Sequence, residues 1–198
     1  MKLNWAERWV VNNPMRVLQQ HIEVNWLRQM MPLETGTTIL EVGCGRGAGA
    51  KLIHSVFKPS QLHILDLDIE MMYKAKKYLS ATPLSALNLL VGDSIELPFK
   101  TGRLDALFGF GFLHHVPNWQ QALLEIARVL KPGGVYYVEE LYPSLYQNRI
   151  TKRILLHPEH DRFTSKDLRS EMDAVGLNLV NAFEIKKMGI LGVAQRLD

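Results

Sequence analysis

The stretch that most constrains this chain is Ile39-Leu40-Glu41-Val42-Gly43-Cys44-Gly45-Arg46-Gly47-Ala48-Gly49. The run from Thr37 to Val42 is short, apolar and partly β-branched, and reads as a buried strand. Glycines follow at alternate positions, and Ala48–Phe57 then reads as a helix. Glycines directly after a buried strand let the backbone turn sharply and let a ligand approach without meeting a Cβ. The helix that follows aims its first N–H groups at that ligand. A strand, a tight turn and a helix in this order form the opening unit of a parallel sheet covered on both faces.

The rest of the chain repeats the unit. A helix is expected from Pro14 to Met30, stopped by Pro32. Trp5 and Trp9 are one helical turn apart and would share a face of a shorter helix before it. After the loop come a strand at Leu62–Leu65, a helix at Glu70–Leu79, and strands at Leu87–Val91 and Leu104–Phe110. Asn118 reads as the N-cap of a helix through Leu130, ended by Lys131-Pro132-Gly133-Gly134. Val135–Glu139 is the next strand, and a helix opens at Thr164-Ser165 and runs to about Val175. The final strands, Leu177–Ile185 and Ile190–Arg196, have a link too short for a crossover, so they pair antiparallel.

Composition narrows the class. The 198 residues suit one domain, and 47% hydrophobic residues exclude a mostly disordered chain. Cys44 is the only cysteine, so no intramolecular disulfide forms, and a reducing, cytoplasmic setting is expected. The net charge is +3, with short basic clusters such as Lys74, Lys76 and Lys77 that read as solvated faces rather than a nucleic-acid stripe. No apolar run reaches the roughly 18 residues of a membrane span, so no membrane insertion is expected.

Two further carboxylates sit where a nucleoside would need them. Asp66 ends the second strand, 19 residues after Gly47. A carboxylate there can accept from both ribose hydroxyls. Asp68 reads instead as a helix N-cap. Gly43, Gly45, Ala48 and Asp66 fit a dinucleotide fingerprint as well as other nucleoside sites, so these residues alone leave an NAD-dependent oxidoreductase open. Asp93, at the end of the third strand, favours the other reading. It can accept from an adenine amine, with the Ser94 N–H serving the adjacent ring nitrogen and Leu67 and Ile95 on the two ring faces.

These segments together resemble the class I S-adenosylmethionine-dependent methyltransferases, in their small-molecule (type 11) branch. The resemblance runs from Ile39 to about Glu140. It rests on Glu41-Val42-Gly43-Cys44-Gly45-Arg46-Gly47, Leu65-Asp66-Leu67-Asp68, Gly92-Asp93-Ser94-Ile95-Glu96-Leu97-Pro98-Phe99, Leu113-His114-His115-Val116 and Arg128-Val129-Leu130-Lys131-Pro132-Gly133-Gly134. It implies a doubly wound, Rossmann-like α/β fold with seven strands in the order 3-2-1-4-5-7-6, strand 7 antiparallel. It implies S-adenosylmethionine as cofactor, S-adenosylhomocysteine as product and a small-molecule methyl acceptor as partner. Carried over by position, Glu41 helps place the methionine amino group, and Gly43, Cys44 and Gly45 lie against the methionine moiety. Asp66 holds the ribose, Leu67 lies on adenine, and Asp93 and Ser94 hold its edge. Gly109 and Phe110 offer backbone to the amino-acid end. Residues 37–198 would form this domain, and residues 1–36 a helical lid or cap.

The aromatic run Phe108-Gly109-Phe110-Gly111-Phe112 departs from the family's usual small polar residue and hints at an apolar acceptor. The candidate bases are His114, His115, Glu139, Glu140 and Tyr142, foremost His115 and Glu140, with His114, Tyr142, Trp5 and Trp9 on the acceptor side. No metal is expected, because His157, Glu159, His160 and Asp161 lack the further ligands of a closed site. A cofactor-binding partner or regulator without catalysis stays open, since fold does not fix function.

Overall fold

The computed structural model describes residues 13–80, 87–146 and 162–197. The elements in chain order are α1 (Pro14–Met30), β1 (Thr38–Val42), α2 (Ala48–Phe57), β2 (Gln61–Asp66), α3 (Ile69–Leu79), β3 (Leu87–Val91), β4 (Leu104–Phe110), a 3-10 turn (Leu113–His115), α4 (Trp119–Val129), β5 (Leu130–Leu141), the single turn α5 (Pro143–Tyr146), α6 (Ser165–Ala174), β6 (Leu177–Ile185) and β7 (Gly189–Arg196). The strands form one sheet in the order β3-β2-β1-β4-β5-β7-β6. β1 to β5 run parallel to one another, and β7 lies antiparallel between β5 and β6. This is the expected order, and the sheet is built as a doubly wound α/β fold.

Local chemistry accounts for the element ends. Asn13 caps α1 by accepting from the Met15 N–H at 2.9 Å, and Pro14 occupies the first turn. Asp68 caps α3 through the Glu70 N–H at 3.1 Å, as the sequence suggests. Thr164 and Asp167 form a reciprocal capping box that starts α6. One strand differs from expectation. β5 begins at Leu130, which pairs with Leu104, and the register slips before Val135. Lys131-Pro132-Gly133-Gly134 thus forms a bulge in the strand rather than a separate turn, a place where proline and glycine are tolerated.

Each face of the sheet has its own core. One contains Leu40, Val42, Leu107, Tyr136 and Val138 under α4 and α6. The other contains Ile39, Ile64, Phe108, Tyr137 and Val193 under α1, α2 and α3. Tyr137 stacks on Phe108 at 4.3 Å between ring centres, and its hydroxyl donates to the Met31 carbonyl at 2.6 Å. That bond ties the end of α1 to the middle of the sheet. The carboxyl ends of β1 to β4 therefore open on one edge, with α1 leaning over it.

Candidate functional site

A cavity of about 350 Å³ lies along that edge. Its walls include Glu41, Gly43, Cys44 and Gly45 after β1, Asp66 and Leu67 after β2, and Asp93, Ser94 and Ile95 after β3. Phe110, Gly111, Phe112 and His115 close it after β4, and Arg16 and Gln20 reach it from α1. Eight of the ten expected cofactor residues thus reach one cavity after β1, β2 and β3, and Phe110 reaches it after β4. Gly109 does not. It is buried beneath Phe112, whose ring would lie 2.5 Å from an added Cβ.

The glycine loop is pinned to β2. Gly43 and Cys44 both donate to the Leu65 carbonyl, at 2.8 and 3.2 Å. The Gly45 N–H donates to Asp66 Oδ2 at 2.9 Å, and Asp66 Oδ1 accepts from the Asp68 N–H at 2.9 Å. Burial raises the Asp66 pKa, and these two backbone donors oppose the rise. Gly43 has φ +69°, and a Cβ there would meet Phe112 Cβ at 2.5 Å, so a side chain is excluded twice.

Glu41 is buried beneath the loop. It accepts from the Ala50 N–H, and its Oε2 has no hydrogen-bond partner among the described residues. Desolvation, then the charge of Asp66, push its pKa up to about 8. A Cβ at Gly49 would collide with Glu41 Oε1, so the small residue keeps the carboxyl group in place. Cys44 is buried in the same wall, and burial with the nearby carboxylates holds its thiol well above the usual range. It is poorly suited to act as a thiolate.

The Asp93 segment is held from behind. Asp93 Oδ1 accepts from the Ile95 N–H at 3.2 Å, and Gly92 N–H donates to the Asp66 carbonyl at 3.1 Å. Glu125 on α4 accepts from the Leu97 N–H at 2.7 Å, while Arg128 donates to the carbonyls of Phe99 and Leu97 at 2.8 and 3.1 Å. Arg128 belongs to the Arg-Val-Leu-Lys-Pro-Gly-Gly segment, so that motif acts here by bracing the loop that follows Asp93.

The acceptor-side expectations divide. His115 lines the cavity, its ring 4.2 Å from that of His114. Glu140 is fully buried and is not among the cavity walls. Its carboxylate accepts from the N–H groups of Phe112, Leu113 and His114 at 3.2, 2.7 and 3.3 Å, and lies 2.7 Å from His114 Nδ1. With its lone pairs taken up in this way, it braces the turn after β4 and is badly placed to take a substrate proton. Tyr142 is also turned away; its hydroxyl donates to Glu184 Oε1 at 2.8 Å, on the α6 side of the sheet. Trp5, Trp9, His157, Glu159, His160 and Asp161 lie outside the described residues.

Sequence reasoning missed the α1 contribution. Arg16 bonds Glu23 at 2.7 Å and also pairs with Glu139 at the end of β5. Gln19 donates to the other Glu23 oxygen at 2.6 Å. Burial raises the Glu139 pKa to about 7, against the lowering effect of Arg16. The available signal was polar spacing: Arg16, Gln20 and Glu23 recur at three and four residues and so share one helix face.

Comparison with known proteins fits this geometry. A family model described as a methyltransferase domain, type 11, matches residues 40–138. A fatty-acid O-methyltransferase of Mycolicibacterium smegmatis is 32% identical over 108 residues, covering 54% of this chain and 38% of that protein. A demethylmenaquinone methyltransferase of Listeria monocytogenes is 32% identical over 124 residues, covering 60% of this chain and 52% of that protein. The matched region spans about half or less of the length of these relatives. A S-adenosylmethionine-dependent methyltransferase structure from Aquifex aeolicus superposes with a TM-score of 0.78 at 18% identity, over 99% of this chain and all of that one. That likeness establishes the fold. With half of its length matched by the family model, the chain belongs to the class I S-adenosylmethionine-dependent methyltransferases, type 11.

Proposed function

We propose that this chain transfers a methyl group from S-adenosylmethionine to a small, largely apolar acceptor. The observation that carries this reading is the convergence of Glu41, Asp66 and Asp93, carboxylates at or just past the carboxyl ends of β1, β2 and β3, on one cavity. The residues present fit the cofactor. The unpartnered Oε2 of Glu41 calls for a donor, and the ammonium of a methionine moiety is one. When bound, S-adenosylmethionine supplies an electrophilic methyl on sulfur and a neutral thioether as leaving group.

The chain's part is then mostly alignment and exclusion of water. Glu41 accepts from the ammonium, and the backbone of Gly43, Cys44 and Gly45 lies along the methionine chain. Asp66 uses its remaining lone pairs for the ribose hydroxyls. Asp93 and the Ser94 N–H hold the adenine edge, with exposed Leu67 and half-buried Ile95 against its faces. Phe110 and Phe112 wall the methionine end toward the acceptor. His115 is the candidate base for an acceptor that arrives protonated. Residues 1–36 act as a cap on the domain formed by 37–198, and α1 supplies Arg16 and Gln20 to its roof.

Two supports favour an apolar acceptor. The wall after β4 is aromatic, and the relatives' names specify a fatty acid and demethylmenaquinone as acceptors. The test is a screen of purified protein with S-adenosylmethionine and acceptor classes, reading S-adenosylhomocysteine. Product with a lipid-like acid or quinol is expected. Tight cofactor binding with no product from any class would favour a non-catalytic partner.

A further inference from the structure

The N-terminal half of α1 is inside out. Its buried face carries Arg16, Gln20 and Glu23 beside Val24 and Leu27. Its outer face carries Met15, Leu18 and Ile22, which are 68%, 55% and 63% exposed. These three recur at three and four residues and form one stripe. A surface helix ordinarily turns such a stripe inward.

The stripe has a neighbour on the sheet. Arg16 pairs with Glu139, Glu139 faces Leu191 across the β5–β7 ladder, and Leu191 faces Phe183 across β7–β6. Directly paired residues point to the same face of a sheet. That face is the one α1 covers, since Tyr137 and Val193 lie in its core. Beyond α1 the row ends in Phe183, 58% exposed, with Ile185, 49% exposed, two residues on. Exposed Lys186, Lys187 and Met188 follow in the β6–β7 turn, at the same edge as the cavity.

Charge says what covers this surface. The only carboxylates within α1, β6 and β7 are Glu23 and Glu184. Glu23 is turned inward to Arg16, and Glu184 is held on the opposite face by Tyr142 and by Arg169 at 2.6 Å. The outward side therefore offers apolar side chains with exposed Lys186 and Lys187 at the hairpin end and exposed Arg28 in the last turn of α1. An apolar stripe flanked by cations matches an anionic lipid surface, with hydrocarbon beneath a negative headgroup layer. We propose that α1 and the β6–β7 hairpin dock this protein peripherally on an anionic lipid bilayer, with the cavity mouth at the lipid surface. A lipid-dissolved acceptor would then reach the cavity past α1 without crossing water. That consequence rests on the proposed methyl-transfer reading; the docking does not.

The test is flotation of the full chain with phosphatidylcholine vesicles containing roughly one-third phosphatidylglycerol, against phosphatidylcholine alone. Binding to the anionic vesicles is expected, weakened by salt. The variant Leu18→Glu/Ile22→Glu should lose about tenfold or more of the partition constant. Lys186→Glu/Lys187→Glu should lose the preference for anionic vesicles. Melting curves and S-adenosylhomocysteine affinity of both variants should stay near wild type, which separates lost docking from lost folding and from a failed cofactor assignment. No flotation of folded wild-type protein would overturn the proposal. So would flotation indifferent to Leu18→Glu/Ile22→Glu, or a dimer dispersed by that variant, which would show a second copy on this face.

Discussion

Asp66 Oδ2 accepts the Gly45 N–H at 2.9 Å, so the carboxylate that ends β2 holds the loop that ends β1. The same group has lone pairs left for a ribose. Asp66→Ala should therefore remove a ligand contact and loosen the loop together. Hydrogen bonds to charged groups contribute about 1.5–3 kcal/mol each, so S-adenosylhomocysteine affinity should fall by about 100-fold or more. Asp66→Asn should fall less, because an amide oxygen can still accept from Gly45. Calorimetry on the three proteins decides it, and equal affinities would remove Asp66 from the site.

The contact of Gly43 with Phe112 gives a second prediction. Gly43→Ala places a Cβ 2.5 Å from Phe112 Cβ at a positive φ. A cost of about 1–3 kcal/mol in stability is expected, with weaker cofactor binding. Thermal unfolding measures the first and titration the second. A variant that melts and binds like wild type would show that the loop and the β4 turn do not constrain each other.

Glu140 separates bracing from proton transfer. Removing its carboxylate takes the acceptor from three backbone N–H groups in a buried site, those of Phe112, Leu113 and His114. Glu140→Ala should destabilise the protein by about 3 kcal/mol or more. Glu140→Gln keeps one acceptor and should be milder. If Glu140 were instead the base, Glu140→Gln would abolish turnover while leaving the melting temperature unchanged.

Glu41 makes stability depend on pH. Its folded pKa is raised to about 8 from an ordinary 4.5, so the folded state binds the extra proton between those values. The stabilising contribution is present in full below the lower value and is lost as pH rises through the upper one. Ligand-free protein should thus unfold at lower denaturant as pH climbs from about 5 to 8. Glu41→Gln should flatten that slope. Urea midpoints at several pH values check it, and an identical slope in the variant would contradict the assignment.

The fold was legible because its signals are local. Pro14, Asn118 and Thr164 mark helix starts, the short link after Ile185 forces an antiparallel pair, and the alternate glycines fix the first turn. Asp66 could be placed because it ends β2, and Asp93 because it follows the end of β3 by two residues. The acceptor side was less legible. Whether Glu140 or His115 faces the cavity depends on the parity of one strand and the path of one turn, and spacing leaves both open. The spacing of Arg16, Gln20 and Glu23 marks a polar helix face but not what it meets: Glu139, the partner of Arg16, is 123 residues away, and no local pattern joins them.

The most direct measurement is S-adenosylmethionine binding near pH 7 by calorimetry in two buffers of different ionisation enthalpy. Ligand-free Glu41 is largely protonated there, and an ammonium beside it favours the carboxylate. Micromolar-range binding with release of close to one proton is expected, about 8 kcal/mol of binding free energy. In Glu41→Gln the proton release should vanish. No heat with S-adenosylmethionine, or binding of NAD in its place, would contradict the account.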